Sequence, residues 1–100
     1  MKHTPLPWKK EIFNGELIVQ DDDTNEYYVY ICDCSSEFMS QEEEEANAEF
    51  IVRACNSHYE LLEACKRTVE MFDKNSTAMN ELPYTYTRLK QVIAKAEGKE

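Results

Sequence analysis

"WKKEIFNGELIVQDDDTNEYYVYICDC", residues 8–34, decides the fold. Asn14-Gly15 stands between "KEIF" and "ELIVQ", and Asn-Gly between two such runs is the strongest short signal for a two-residue hairpin turn. "DDDTNE" (21–26) is a second, more polar turn, and "YYVYICDC" (27–34) after it is rich in aromatic and β-branched residues. At period two, Tyr28, Tyr30, Cys32 and Cys34 share one face of that strand, and Tyr27, Val29 and Ile31 share the other. Three antiparallel strands in a meander are the economical reading. A lone sheet of this size needs a cover for its apolar face.

The cover comes downstream. "SSEFMSQ" (35–41) holds turn and capping residues, and "EEEEANAEFIVRAC" (42–55) begins a helix with Ala46, Phe50, Ile51, Ala54 and Cys55 on one stripe. Four glutamates in a first turn suit the positive end of the helix dipole. "ACNSHYE" (54–60) then reads as a joint. Ser57 and Glu60 fit an S-x-x-E capping box, and Asn56 is a usual helix-ending residue. A second helix carries His58, Leu61, Leu62, Cys65, Val69 and Phe72; one bent helix is the rival reading. "DKNSTAMNELP" (73–83) breaks the pattern. Pro83 suits a first helical turn, and Leu82, Tyr86, Leu89, Val92 or Ile93, and Ala96 line a third helix that Gly98 stops. The expectation is an α+β fold: a three-stranded antiparallel β meander followed by three α-helices packed on one face of the sheet. At 100 residues the chain makes a single domain, 1–100.

Charge is distributed unevenly. The net charge is −9, and no lysine or arginine lies between Glu11 and Val52. That stretch holds thirteen acids, whereas the rest of the chain sets eleven basic residues against seven acids. Such a field repels nucleic acid and anionic membrane and steers toward basic protein surfaces. No apolar run approaches a signal peptide or a membrane span, so the chain is expected in the cytoplasm of the cell that makes it. The four cysteines are then expected as free, mostly buried thiols.

The chemical candidates each meet a plainer alternative. Cys32-x-Cys34 with Cys55-x-x-His58 supplies three thiols and an imidazole of zinc-ligand type, but strand spacing sets Cys32 and Cys34 about 6–7 Å apart, unlike a zinc knuckle. All four positions also suit small apolar residues. Cys55 with His58 lacks an orienting third group and a glycine-rich oxyanion loop. Residues 21–26 lack the alternating ligands and glycine of a calcium loop. His3 reads as a surface residue and Trp8 as sheet-edge packing. No catalytic residue, metal or cofactor is assigned, and the chain reads as a non-enzyme.

"HTPLPW" (3–8), "EEEEANAEFIVRACNSHYELLEACK" (42–66) and "VIAKAEGK" (92–99) carry a resemblance. The chain resembles a group of small phage and prophage proteins that open with His-Thr-Pro-x-Pro-Trp and end in Ala-Ile-Ala-Lys-Ala-x-Gly. The resemblance leaves out roughly residues 9–40. It implies a phage setting and carries over no functional residue.

Setting and charge together point to binding. The expected partner is a host protein with a basic surface, contacted through Asp21, Asp22, Asp23, Glu26, Glu42, Glu43, Glu44 and Glu45. Tyr28, with Tyr27 and Tyr30, would supply apolar anchors. An anti-CRISPR or anti-restriction inhibitor fits this, without direct nucleic-acid or membrane contact; a homodimer stays open. The alternatives are an oligomeric sponge for a small signalling nucleotide, using Arg53, Lys66, Arg67, Arg88 and Trp8, and a small structural or regulatory phage protein.

Overall fold

The computed structural model describes residues 2–12, 16–22 and 29–99. In chain order they form β1 (Trp8–Ile12), β2 (Glu16–Gln20), β3 (Tyr30–Asp33), α1 (Gln41–Lys74), α2 (Ser76–Glu81) and α3 (Pro83–Ala96). The strands pair antiparallel in the order β1-β2-β3. This is the expected α+β meander followed by three helices. The Asn14-Gly15 turn and residues 23–28, with Asp23, Glu26, Tyr27 and Tyr28, lie outside the described residues. No helix among the described residues is long and apolar enough to cross a membrane.

The chain divides into two compact units, Met1–Ser57 and His58–Glu100. In the first unit, β2 is the central strand, and its neighbours Ile18 and Val19 are both 0% exposed. Adjacent strand residues point to opposite faces, so the sheet is covered on both sides at its centre. Ala48 of α1 is equally buried.

The period-two reading of the third strand needs correction. Val19 faces Tyr30 and Ile18 faces Cys32, which leaves Ile31 as an extra residue in a bulge. A bulge resets the alternation, so Tyr30 and Cys32 are opposite residues that point to different sides. Cys32 is exposed, and Cys34, Cys55 and Cys65 are half-buried. The expectation of mostly buried thiols therefore fails for Cys32.

The joint at "ACNSHYE" also needs correction. One uninterrupted helix covers Gln41–Lys74, so Ser57 is not an N-cap and Asn56 ends nothing. The reason lies in the first unit. The Asn56 Oδ1 accepts the Trp8 backbone N–H at 2.8 Å, and the Asn56 Nδ2 donates to the Trp8 carbonyl at 2.9 Å. β1 is an edge strand, and one side-chain amide there takes the place of a neighbouring strand's peptide. Asn and Ser inside a helix cost roughly 0.5 kcal/mol each relative to Ala, while two such hydrogen bonds contribute about 1–3 kcal/mol. Tertiary bonding wins over local propensity.

In the second unit, Phe72 is 8% exposed and meets the Tyr86 ring at 5.8 Å. The Tyr86 hydroxyl donates to Asp73 at 2.6 Å, and Lys66 pairs with Glu97 at 2.7 Å. These contacts hold α3 against α1. The pattern break around residue 75 is a short helix, begun by Asn75, whose side chain accepts the Ala78 N–H. Pro83 starts α3. Gly98, at φ 72°, ends it, with the Lys99 N–H closing on the Ala94 carbonyl at 2.8 Å. Only a residue tolerant of left-handed backbone fits there.

Candidate protein-docking surface

Of the docking candidates, Glu42–Glu45 lie where a turn on Ser36 meets the start of α1. The Ser36 hydroxyl accepts the Phe38 N–H at 3.1 Å, and the Ser36 carbonyl accepts the Met39 N–H at 3.3 Å. This tight turn leaves Phe38 89% exposed. Ser40 then caps α1: its hydroxyl accepts the Glu43 N–H at 3.2 Å and its carbonyl the Glu44 N–H at 3.1 Å. The four glutamates that follow divide by surroundings. Glu42 and Glu43 are exposed, whereas Glu44 and Glu45 are half-buried. Glu44 accepts the Ser36 N–H at 2.9 Å and so ties the turn to the helix.

Two lysines of β1 meet several of the other acids. Lys10 lies 3.8 Å from Glu45 and 3.1 Å from Glu49. Lys9 lies 3.4 Å from Glu11 and 3.7 Å from Asp21. Consecutive strand residues point to opposite faces, so Asp21 and Glu45 are held at opposite faces of the sheet. Asp21 and Asp22 are exposed. The structure brings Glu42–Glu45 together and leaves Asp21 with a different cation. Such partly exposed pairs are worth about 0–1 kcal/mol each. They lower the local field more than they stabilise the fold.

Phe38 is the residue that sequence reasoning missed. The available signal was a large apolar side chain inside "SSEFMS", a stretch otherwise made of turn formers. Of the tyrosine anchors, Tyr30 is 59% exposed. A cavity of about 360 Å³ adjoins the turn, lined by Cys32, Cys34, Met39, Asn47, Phe50 and Ile51. At its edge, hydrogen bonds from the Ser35 side chain and then its backbone N–H hold the Asp33 carboxyl below its ordinary range.

Cys55 and His58 are half-buried in mid-helix, with the His58 ring edge-on to Tyr59 at 4.8 Å. Among the described residues, no three His, Cys, Asp or Glu side chains gather as metal ligands. Trp8 packs against His3 at 6.1 Å and donates its ring N–H to the Thr4 carbonyl at 3.2 Å. Of the basic candidates, Arg67 pairs with Glu63 along α1 at 3.2 Å. Lys66 lines a second-unit groove of about 330 Å³ with Lys90 and Lys99, over Val69 and Ile93.

The family model described as Salmonella phage P22 protein Y8K6 matches residues 1–100. The chain belongs to that family. In this Y8K6-family chain, the segments that carry the phage resemblance hold the units together internally. "HTPLPW" meets "ACNSHYE" through Trp8 and Asn56, and "VIAKAEG" supplies the Glu97 that grips Lys66. No curated protein and no solved structure matches the chain.

Proposed function

We propose that this Y8K6-family chain is a non-enzymatic phage accessory protein that acts by binding. On this reading it is an acidic counter-defence inhibitor, of anti-CRISPR or anti-restriction type, that docks on a basic, nucleic-acid-binding surface of a host protein. One observation carries the reading. The exposed Glu42 and Glu43 follow the 89% exposed Phe38 by four and five residues in the chain, in a stretch without a lysine or arginine from Glu11 to Val52.

The chemistry is that of phosphate mimicry. Arginine forks and lysine ammoniums that hold phosphate oxygens accept carboxylates in similar geometry. Uncompensated charge speeds encounter, and a buried aromatic supplies the affinity that solvated ion pairs do not. Lys9 and Lys10 draw off Asp21, Glu45 and Glu49, so the docking surface narrows to Phe38, Glu42 and Glu43. The test is capture of host proteins by the wild-type chain and by Glu42→Lys/Glu43→Lys. The captured partner should bind duplex DNA or RNA, be released by it, and be lost with the reversed charges.

A sponge for a small signalling nucleotide is the second reading, favoured by the groove that Lys66, Lys90 and Lys99 rim. Glu97 already occupies Lys66 at 2.7 Å and stands 3.7 Å from Lys99, which lowers the positive charge available to a phosphate. A nucleotide retained through gentle purification, seen by mass spectrometry, would favour the sponge over the inhibitor.

A further inference from the structure

One cavity of the first unit brings together three sulfur-bearing residues. Cys32, Cys34 and Met39 line the space of about 360 Å³ beside the Ser36 turn, together with Asn47, Phe50 and Ile51 of α1. Past the bulge at Ile31, Cys32 stands in β3 and Cys34 just beyond its end. Residues two apart on an extended chain share a side, with Cα atoms about 6–7 Å apart. Both cysteines line the same cavity, so that alternation holds across Asp33. Met39 enters from the turn before α1, and the Asn47 Nδ2 donates to its Sδ at 3.3 Å, which fixes the thioether. The carboxylate between the two thiols is turned into a local bend, where the Asp33 Oδ1 accepts the Ser35 N–H at 2.8 Å. Cys32 is exposed, which gives an ion a way in.

We propose that Cys32, Cys34 and Met39 form a binding site for a soft monovalent metal ion, copper(I), held by two thiolates and a thioether. Thiolate and thioether donors select copper(I) over the harder cations. Zinc asks for four ligands in a tetrahedron, and among the described residues no three His, Cys, Asp or Glu side chains gather as metal ligands. Calcium and magnesium ask for sets of oxygen ligands, and the one carboxylate on this wall is bonded to Ser35. The strand spacing that is too wide for a tetrahedral knuckle suits copper(I), which takes two thiolates on opposite sides with a third sulfur alongside. Phe50 and Ile51 make the remaining wall apolar, which favours a weakly hydrated ion. Both thiols lose their protons on coordination, so each copper(I) taken up releases two protons and leaves a complex of net charge −1. Binding therefore weakens as pH falls.

Titration of the full, reduced chain with copper(I) under anaerobic conditions, against a chromophoric copper(I) chelator, tests this, with circular dichroism as the folding control. The chain should withhold one copper(I) from the chelator. Cys32→Ser and Cys34→Ser should each abolish retention, whereas Cys55→Ser and Cys65→Ser, further along α1, should leave it intact. Met39→Leu keeps the side chain's bulk and removes only the sulfur, so it should weaken retention without loss of helicity. Asn47→Leu leaves all three ligands and removes the bond that fixes the thioether, and it should weaken retention roughly tenfold or more. X-ray absorption of the copper complex should show sulfur neighbours alone. A chain that yields all its copper(I) to the chelator overturns the proposal. So does retention that follows Cys55 or Cys65, retention indifferent to Met39→Leu, or a copper ion with nitrogen or oxygen neighbours.

Discussion

Asn56 commits both halves of its amide to one backbone residue, and that pair of hydrogen bonds to Trp8 ties α1 to the strand edge. Replacing it leaves a part-buried N–H and C=O without partners. Asn56→Ala is therefore expected to destabilise the fold by about 1–3 kcal/mol in chemical denaturation, despite alanine's better helix propensity. Asn56→Asp should not rescue it, because a carboxylate accepts the Trp8 N–H but repels the Trp8 carbonyl. The sequence marks Asn56 as unusual and misassigns its role, since its partner lies 48 residues away and no local pattern names it. A second residue-scale prediction concerns pH. The Lys66 hydrogen bond holds the Glu97 carboxyl below its ordinary 4.5, and the same bond raises Lys66 above 10.5. The stability from Glu97 is present above 4.5 and is lost as pH falls through its lowered value. The stability from Lys66 is present below 10.5 and is lost as pH rises through its raised value. Tyr86, raised above 10.0 by its bond to Asp73, likewise loses its contribution on the alkaline side. Melting temperature against pH should thus have a flatter acid limb in Glu97→Gln and a flatter alkaline limb in Tyr86→Phe.

At the scale of elements, α1 carries the clearest test, because the sign of one substitution separates two structures. In a capping box, Ser57→Ala would cost about 1 kcal/mol. In the interior of a continuous helix it should instead stabilise by roughly 0.5 kcal/mol, and thermal denaturation of the variant should show that small gain. The strands were legible because apolar runs around "NG" and "DDDTNE" fix their order and pairing. The bulge at Ile31 was not, since an extra residue leaves no mark on an alternating pattern such as "YYVYIC". The short α2 was hidden in the same way: Asn75, Ser76 and Asn80 read as breakers, while in the structure Asn75 caps the turn that follows it.

For the whole molecule, the sequence supplies the charge imbalance and the structure decides which acids remain available. The first unit contains all thirteen acids of the lysine-free stretch, and Lys9 and Lys10 just before or at its border meet Glu11, Asp21, Glu45 and Glu49. Two adjacent lysines in "WKKE" look like one basic spot in a linear string, but strand geometry sends them to opposite faces. That is why a single anionic surface joining residues 21–26 to 42–45 could not be judged from composition. The proposed function rests on three exposed residues, Phe38, Glu42 and Glu43. The most direct measurement is the binding of the wild-type chain and of Glu42→Lys/Glu43→Lys to the captured host partner, at low and high salt, with and without duplex DNA. The expected result is binding that weakens with salt, is displaced by DNA and falls roughly tenfold or more on charge reversal. Binding that is indifferent to salt, to DNA and to the reversed charges would contradict it.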